Sequence, residues 1–241
     1  MYNSSTAANC FQNKRQKNIR SERDFLAFVG KHNLKVEDEI GSAVHKVWEV
    51  ILHEDWKHKD EERDADIALI VLMTEVDLSN FGVVGIVCLP HSSKHEVTGT
   101  GTISGWGLSE NSQEKISRFS LTSNELRLSA EPLAVCVNAD KRFAIASSNR
   151  TFCAGYTNQN KAACQGDRGS GFYQLKEKKY NLAGIMSVLL IDDSIDCVMD
   201  LYSIFTDVSK FTDWIKNKIN QTKTINWEEI DFECNFGSDD A

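Results

Sequence analysis

Three positions carry residue types that could do chemistry at one site, and each limits what that chemistry is. The loop Cys164-Gln165-Gly166-Asp167-Arg168-Gly169-Ser170-Gly171 presents an arginine in a glycine-rich turn. A guanidinium stays protonated and offers only donors, so it attacks no carbonyl. Thr6-Ala7-Ala8-Asn9-Cys10 presents Asn9, whose neutral amide neither takes up nor returns a proton near neutral pH. Asp64-Ala65-Asp66-Ile67-Ala68-Leu69 presents Asp66, a carboxylate that accepts hydrogen bonds. Acyl transfer needs a nucleophilic lone pair with a base beside it, and this set supplies neither. His53 and His58 flank acidic residues, but they stand one position too far apart for the helical zinc spacing and read as loop, so no metal is assigned.

Strands and loops must hold these residues in place. Val44, Val47, Val50 and Leu52 lie in a β-branched run with Trp48 and Ile51, which predicts a strand leading into an exposed loop from His53 to Asp64. Asp66 to Met73 is nearly continuously apolar after its first residue, as is Ala183 to Ile191, and both read as buried strands. From Thr206 the chain reads as a helix that Asp207 can cap, with Val208, Phe211, Trp214, Ile215 and Ile219 at helical spacing. The stretch from Lys14 to Arg23 is basic and reads as a solvated loop rather than a docking patch for an acidic partner. Residues 1–219 are expected to form one domain. Residues 220–241 form an acidic, mobile tail, unless Trp227, Phe232 and Cys234 dock it.

The chain has 241 residues, 41% of them hydrophobic, enough for one larger domain or two small ones. No apolar run approaches the roughly 20 residues of a membrane helix, so no membrane association is expected. A net charge of −8 repels phosphate backbones and argues against nucleic acid, while basic partners remain open. Seven cysteines suggest an oxidising compartment. The sequons at Asn3, Asn149 and Asn220 agree with secretion, with glycosylation expected at Asn149 and Asn220. Met1 to Ser5 has neither the basic nor the apolar region of a signal peptide. No cofactor is expected.

The loop around Arg168 resembles the nucleophile loop of trypsin- and chymotrypsin-like serine proteases, usually Cys-x-Gly-Asp-Ser-Gly-Gly, with Arg168 where the serine belongs. Thr6 to Cys10 resembles that family's Thr-Ala-Ala-His-Cys, with Asn9 in the place of the general base, and Asp66 matches its Asp-Ile-Ala-Leu element. The order Asn9, Asp66, Arg168 is the family's base, orienting aspartate, nucleophile order. Gly101 to Gly107, Thr151 to Gly155, Phe205 to Val208 and Trp214-Ile215 resemble further family elements in the right order. Gly30 to Leu34, His53 to Trp56 and the long tail are most similar to arthropod extracellular proteases and their inactive homologues.

The resemblance implies two six-stranded antiparallel Greek-key β-barrels, all-β apart from a C-terminal helix, with the N-terminal barrel incomplete by about two strands. Either the front end is not contained in this sequence or another chain completes the barrel. The resemblance implies disulfides Cys136–Cys153 and Cys164–Cys197, and leaves the pairing of Cys10, Cys88 and Cys234 open. Gly166 and Arg168 would lend the oxyanion-hole N–H groups. Asp167 would face an activation terminus that this sequence does not contain, which predicts a zymogen-like loop. Ala162 would lie at the pocket floor, with Ser187, Leu189, Tyr202 and Ser203 on its walls, and Leu189 in place of a glycine fills it. Glu37, Asp38 and Glu39 fall where relatives bind calcium, but Lys31 stands in a ligating glutamate's place, so calcium is not assigned.

The expected function is that of a catalytically inactive serine protease homologue. It would act extracellularly by binding other proteins, such as cascade proteases or inhibitors, as in innate immunity. The alternatives are an active serine endopeptidase, should Asn9 and Arg168 be sequence errors, and a decoy for protease inhibitors or substrates. An unpaired Asp66 carboxylate would be costly, so Asn9 and Arg168 are the expected partners for it.

Overall fold

The computed structural model describes residues 3–13, 18–57, 63–78, 84–90, 96–111, 116–155, 163–190 and 202–222. Its first half contributes strands β1 (Asn3–Thr6), β2 (Gln12–Asn13), β3 (Asn18–Ile19), β4 (Leu26–Val29), β5 (Ala43–Leu52) and β6 (Ala68–Leu72). The second half contributes β7 (Gly99–Gly105), β8 (Leu108–Asn111), β9 (Ile116–Phe119), β10 (Asn124–Glu131), β11 (Thr151–Gly155), β12 (Gly171–Lys176), β13 (Lys179–Leu189) and β14 (Ser203–Asp207). Helices α1 (Leu133–Ala139), α2 (Arg142–Ala146) and α3 (Thr212–Gln221) complete the set, with short 3-10 turns between.

The second half closes into an antiparallel barrel in the order β10-β11-β14-β13-β12-β7. Three aromatic rings fill it. Phe152 stacks on Phe205 with centroids 5.3 Å apart, and Phe172 meets both edge-on at 5.3–5.4 Å, an arrangement favoured by the ring quadrupoles. Among the described residues the first half is a four-stranded sheet in the order β1-β6-β5-β4. That order repeats the β11-β14-β13-β12 portion of the closed barrel, strand for strand, so among the described residues the first half has the same path with two fewer strands. A closed six-stranded barrel, a second curled sheet of four strands among the described residues, and a C-terminal helix make up the chymotrypsin-type architecture.

Burial follows the sequence pattern closely in the strands that matter for the site. β6 is apolar and shielded along almost its whole length, as a strand with both faces covered should be. β5 buries His45 and Val47 but leaves Val44 and Trp48 exposed, the alternation of a strand with one open face. One core cluster spans both halves: Ala7, Ile67 and Leu69 pack with Leu182 and Ile185 of β13 and with Phe211, Ile215 and Ile219. This seam holds Asn9 and Asp66 on one side and the Arg168 loop on the other.

The C-terminal helix begins later than its sequence suggests. Thr206 and Asp207 are the end of β14, paired with Thr151 and Gly184, and strand pairing overrides local helix preference. Asp207 caps a 3-10 turn instead, its Oδ1 accepting from the N–H of Ser209 at 3.0 Å. The helix proper runs past Ile219 to Gln221, and the tail from 223 onward lies outside the described residues. Residues 14–17 of the basic run and His58 also lie outside them. Of the loop from His53 to Asp64, the described part is docked rather than free: Trp56 is buried, and the His53 ring packs on Phe211 and Trp214 at 5.0 and 4.8 Å.

The expected Cys136–Cys153 disulfide is present, closing 17 residues and pinning α1 to β11. Cys88 and Cys164 are also disulfide-bonded, while Cys197 and Cys234 lie outside the described residues. Cys10 is free. Asn149 and Asn220 are both exposed, the accessibility a glycan acceptor requires.

Candidate active-site remnant

Asp66 is aimed by its own backbone. Ala65 just before it adopts a left-handed φ of 53°, and the N–H of Ile67 bonds back to the Ala65 carbonyl at 2.8 Å. Asp66 thus sits at the centre of a three-residue turn at the mouth of β6 and is fully buried. The Asn9 N–H donates to Oδ1 at 2.8 Å. The Asn9 side-chain amide and the Ser187 hydroxyl both donate to Oδ2. Thr206 steadies the turn from behind, its hydroxyl donating to the Asp66 carbonyl at 3.0 Å. Burial pushes the carboxyl above the ordinary range, while the Ser187 and Asn9 hydrogen bonds pull the other way.

Asn9 and Cys10 lie on a 3-10 turn, Ala8–Phe11, anchored by the buried residues Ala8 and Phe11. The Asn9 amide also reaches the Ser187 carbonyl at 3.3 Å. Both of its N–H groups are therefore spent on β13 and Asp66. Cys10 is open on one side, but its sulfur lies against the Arg168 carbonyl at 3.8 Å and near Gly169. Desolvation, with the charge of Asp66 adding to it, pushes this thiol up to about 11, so it stays protonated at neutral pH.

Arg168 does not reach Asp66. Among the described residues its guanidinium forms no ion pair, and Asp66 is satisfied by Asn9 and Ser187 instead. The direct Arg168–Asp66 pair expected from charge balance is thus replaced by neutral donors. Arg168 is half-buried. Desolvation lowers its pKa from the ordinary guanidinium value, the charge of Arg63 lowers it further, and Asp66 acts against both. Arg63 entered through its charge alone, three residues before Asp66, and no motif marks it.

The loop that carries Arg168 is held by Asp167. Its Oδ1 accepts from the Gly107 N–H at 3.1 Å and its Oδ2 from the Cys164 N–H at 2.9 Å. Burial raises its pKa while these two bonds lower it. Gly107 is needed for this approach, because a Cβ there would lie 2.4 Å from both carboxylate oxygens. Trp106 beside it donates from Nε1 to the His32 carbonyl at 2.9 Å, tying the loop to residues 31–42. In that segment the buried Lys31 ammonium donates to the carbonyls of Val36 and Glu37 and lies 3.8 Å from Glu39. Gly166 and Gly169 both take left-handed φ, 96° and 87°, a conformation that glycine adopts without a Cβ penalty. The Gly169 N–H bonds to the Met186 carbonyl at 2.9 Å.

The pocket residues are dispersed by comparison. Ala162 lies outside the described residues. Leu189 is buried in the barrel core cluster that includes Ala163, Tyr202 packs with the Cys136–Cys153 disulfide, and Ser203 is buried opposite Leu189 in β14. Ser187, expected on the pocket wall, turns its hydroxyl onto Asp66, a contact that its residue type allowed but its neighbours did not reveal. Among the described residues no group of His, Cys, Asp and Glu is placed to hold a metal ion, and no helix is long and apolar enough to cross a membrane.

The family model described as Trypsin matches residues 5–215. Serine protease gd of Drosophila melanogaster is 32% identical over 241 residues, covering 87% of this chain and 44% of that protein. Coagulation factor IX of Cavia porcellus is 28% identical over 193 residues, 77% of this chain and 61% of that one. Chymotrypsin-like elastase family member 1 of Rattus norvegicus is 26% identical over 219 residues, 90% and 75%. The chain therefore spans about half the length of the first two relatives.

Proposed function

The chain belongs to the trypsin family, and from that premise we propose that it is a catalytically inactive serine protease homologue acting by binding other proteins. One observation carries this reading. Asn9, in the position of the general base, spends its side-chain amide as a donor to Asp66 and to the Ser187 carbonyl, and so has no basic lone pair to offer a nucleophile. Arg168 occupies the nucleophile's position with a group that has only donors. Gly166 and Arg168 stand at the oxyanion-hole positions in this reading, and Asp167 is turned onto Gly107 and Cys164. Leu189, the residue expected to fill the pocket, is buried in the barrel core.

The protein is proposed to work outside the cell. Disulfides at Cys88, Cys136, Cys153 and Cys164 favour an oxidising compartment, and the exposed Asn149 and Asn220 are accessible glycan acceptors. Two relatives are named as a serine protease and a coagulation factor, which supports a place in a proteolytic cascade with cascade proteases or inhibitors as partners; the proposal extends to a cascade of innate immunity. Residues 1–219 form the protease-like unit in this reading, and 220–241 an acidic tail.

A fluorophosphonate active-site probe tests the central claim. Purified secreted protein is expected to remain unlabelled while an active trypsin labels under the same conditions. Stoichiometric labelling at a hydroxyl of the folded protein would overturn it.

A further inference from the structure

Two cysteines are disulfide-bonded to partners that elimination and distance identify. The chain has seven cysteines. Cys136 and Cys153 are joined to one another, and Cys10 is a free thiol. Cys88 and Cys164 are each half of a disulfide. Within this sequence their partners can come from each other, from Cys197 or from Cys234.

Strand β13 sets the distances between them. Cys88 is buried beside its start: the Cys88 N–H donates to the Tyr180 carbonyl, the Leu182 N–H donates to the Cys88 carbonyl, both at 3.0 Å, and a β-bridge joins Cys88 to Asn181. Cys164 belongs to the other end. Its N–H donates to Asp167, Gly169 in the same loop is bonded to Met186, and the adjacent Ala163 packs in one cluster with Leu189. At about 3.3 Å per residue, Asn181 and Leu189 lie roughly 26 Å apart along the strand. A disulfide joins Cα atoms no more than about 7 Å apart, so Cys88 and Cys164 are not each other's partners. Cys197 also belongs to the Leu189 end, because Tyr202 packs in one cluster with Leu190. From Tyr202 the chain back to Cys197 reaches at most about 18 Å, which brings it to Cys164 but leaves it short of Cys88.

Cys234 is then the partner left for Cys88, and the chain is long enough to return there. Helix α3 starts close to Cys88, with the Thr212 hydroxyl donating to the Pro90 carbonyl at 2.9 Å. Its ten residues carry the chain about 15 Å away, whereas the stretch from Thr222 to Cys234 can span about 40 Å. Charge favours the same return. The turn between β12 and β13, next to Cys88, carries Lys176, Lys178 and Lys179, and the residues before Cys234 include Glu228, Glu229, Asp231 and Glu233.

We propose that a Cys88–Cys234 disulfide binds the acidic C-terminal tail back onto the protease-like unit, beside the basic turn between β12 and β13. The two thiols lose two protons and two electrons to a protein disulfide donor, which is reduced to its dithiol as the Sγ–Sγ bond forms. This rests on the extracellular reading above, which supplies the oxidising compartment.

The test is a peptide map of the whole secreted protein, alkylated and digested with trypsin without reductant. Cys88 is the lone cysteine of the tryptic peptide 64–94 and Cys234 that of 224–241. The expected species is these two peptides joined, recovered from a protein that runs as a monomer on a non-reducing gel and separated by reductant. Cys234→Ser should expose one new alkylatable thiol, at Cys88, and leave Cys136–Cys153 joined. Cys88 joined to Cys197 or to a cysteine outside this sequence, the same peptides recovered only from a disulfide-linked dimer, or Cys88 alkylated while Cys136–Cys153 stays joined would each overturn the tether and leave the extracellular reading standing. Recovery of Cys88, Cys136 and Cys153 all as thiols would overturn both.

Discussion

Asn9 meets Asp66 twice, through its backbone N–H at 2.8 Å and through its side-chain amide. The amide supplies the donor that a buried carboxylate needs without carrying a proton that can be passed on. A buried aspartate can thus stand here without a histidine beside it, because neutral donors cover its desolvation.

Asn9→Ala removes one of these donors and leaves a buried acceptor short of a partner. A loss of about 1–3 kcal/mol in unfolding free energy is expected, measured by chemical denaturation. Asn9→His should retain most of the stability, because an imidazole Nδ1–H can donate to the same carboxylate. If Asn9→Ala melts like the parent protein, Asp66 does not depend on this contact.

Arg168→Ser alone is expected to leave peptide hydrolysis at background. The new hydroxyl would face an amide that cannot take its proton. Measurable turnover by this single variant would show that the Asn9 amide is not the obstacle.

Gly107→Ala places a methyl group 2.4 Å from the Asp167 oxygens and forces the carboxylate off the Gly107 N–H. Burial leaves Asp167 little room to find water, so about 1–3 kcal/mol should be lost. Hydrogen exchange is the sharper readout: the Cys164 amide, which also donates to Asp167, should exchange faster in the variant.

Glu54 gives the stability a pH signature. The Lys218 ammonium at 2.5 Å and the Trp214 N–H at 2.7 Å hold its carboxyl at about 2, below its ordinary 4.5. Because the folded value is the lower one, the stabilisation is complete above pH 4.5 and is lost as pH falls towards 2. Glu54 is exposed, so screening keeps the contribution under about 1 kcal/mol. Asp66 and Asp167 run oppositely: burial raises both, so the cost of ionising them is absent in acid and grows as pH rises through their folded values. Lys218→Met should therefore lower the melting temperature at pH 7 and leave it unchanged at pH 2. An equal effect at both would exclude the ion pair as its cause.

How far the molecule could be read in advance differs from element to element. β6 and β13 announce themselves because strands covered on both faces must be apolar throughout. The stripe Phe211, Ile215 and Ile219 marks a helix for the equivalent reason. The sequence places its start at Thr206, six residues before the helix begins, because nothing local shows that Thr206 pairs with Thr151. α1 went unseen: it is two turns long, begins after Pro132 without a side-chain cap, and buries only Cys136, so it has almost no amphipathic period to detect. Asn9, Asp66 and Arg168 stood out through their neighbours in the chain. Ser187 on Asp66 and the charge of Arg63 felt at Arg168 depend on separations of more than a hundred residues, which only the folded path closes.

Side chains are easily exchanged, since the codons of asparagine and histidine are neighbours, as are those of arginine and serine. The left-handed Ala65 and the bond from Ile67 back to its carbonyl are not, because changing them means rerouting the main chain into β6. The direction in which Asp66 points is therefore written into the main chain and does not depend on which side chains stand at positions 9 and 168.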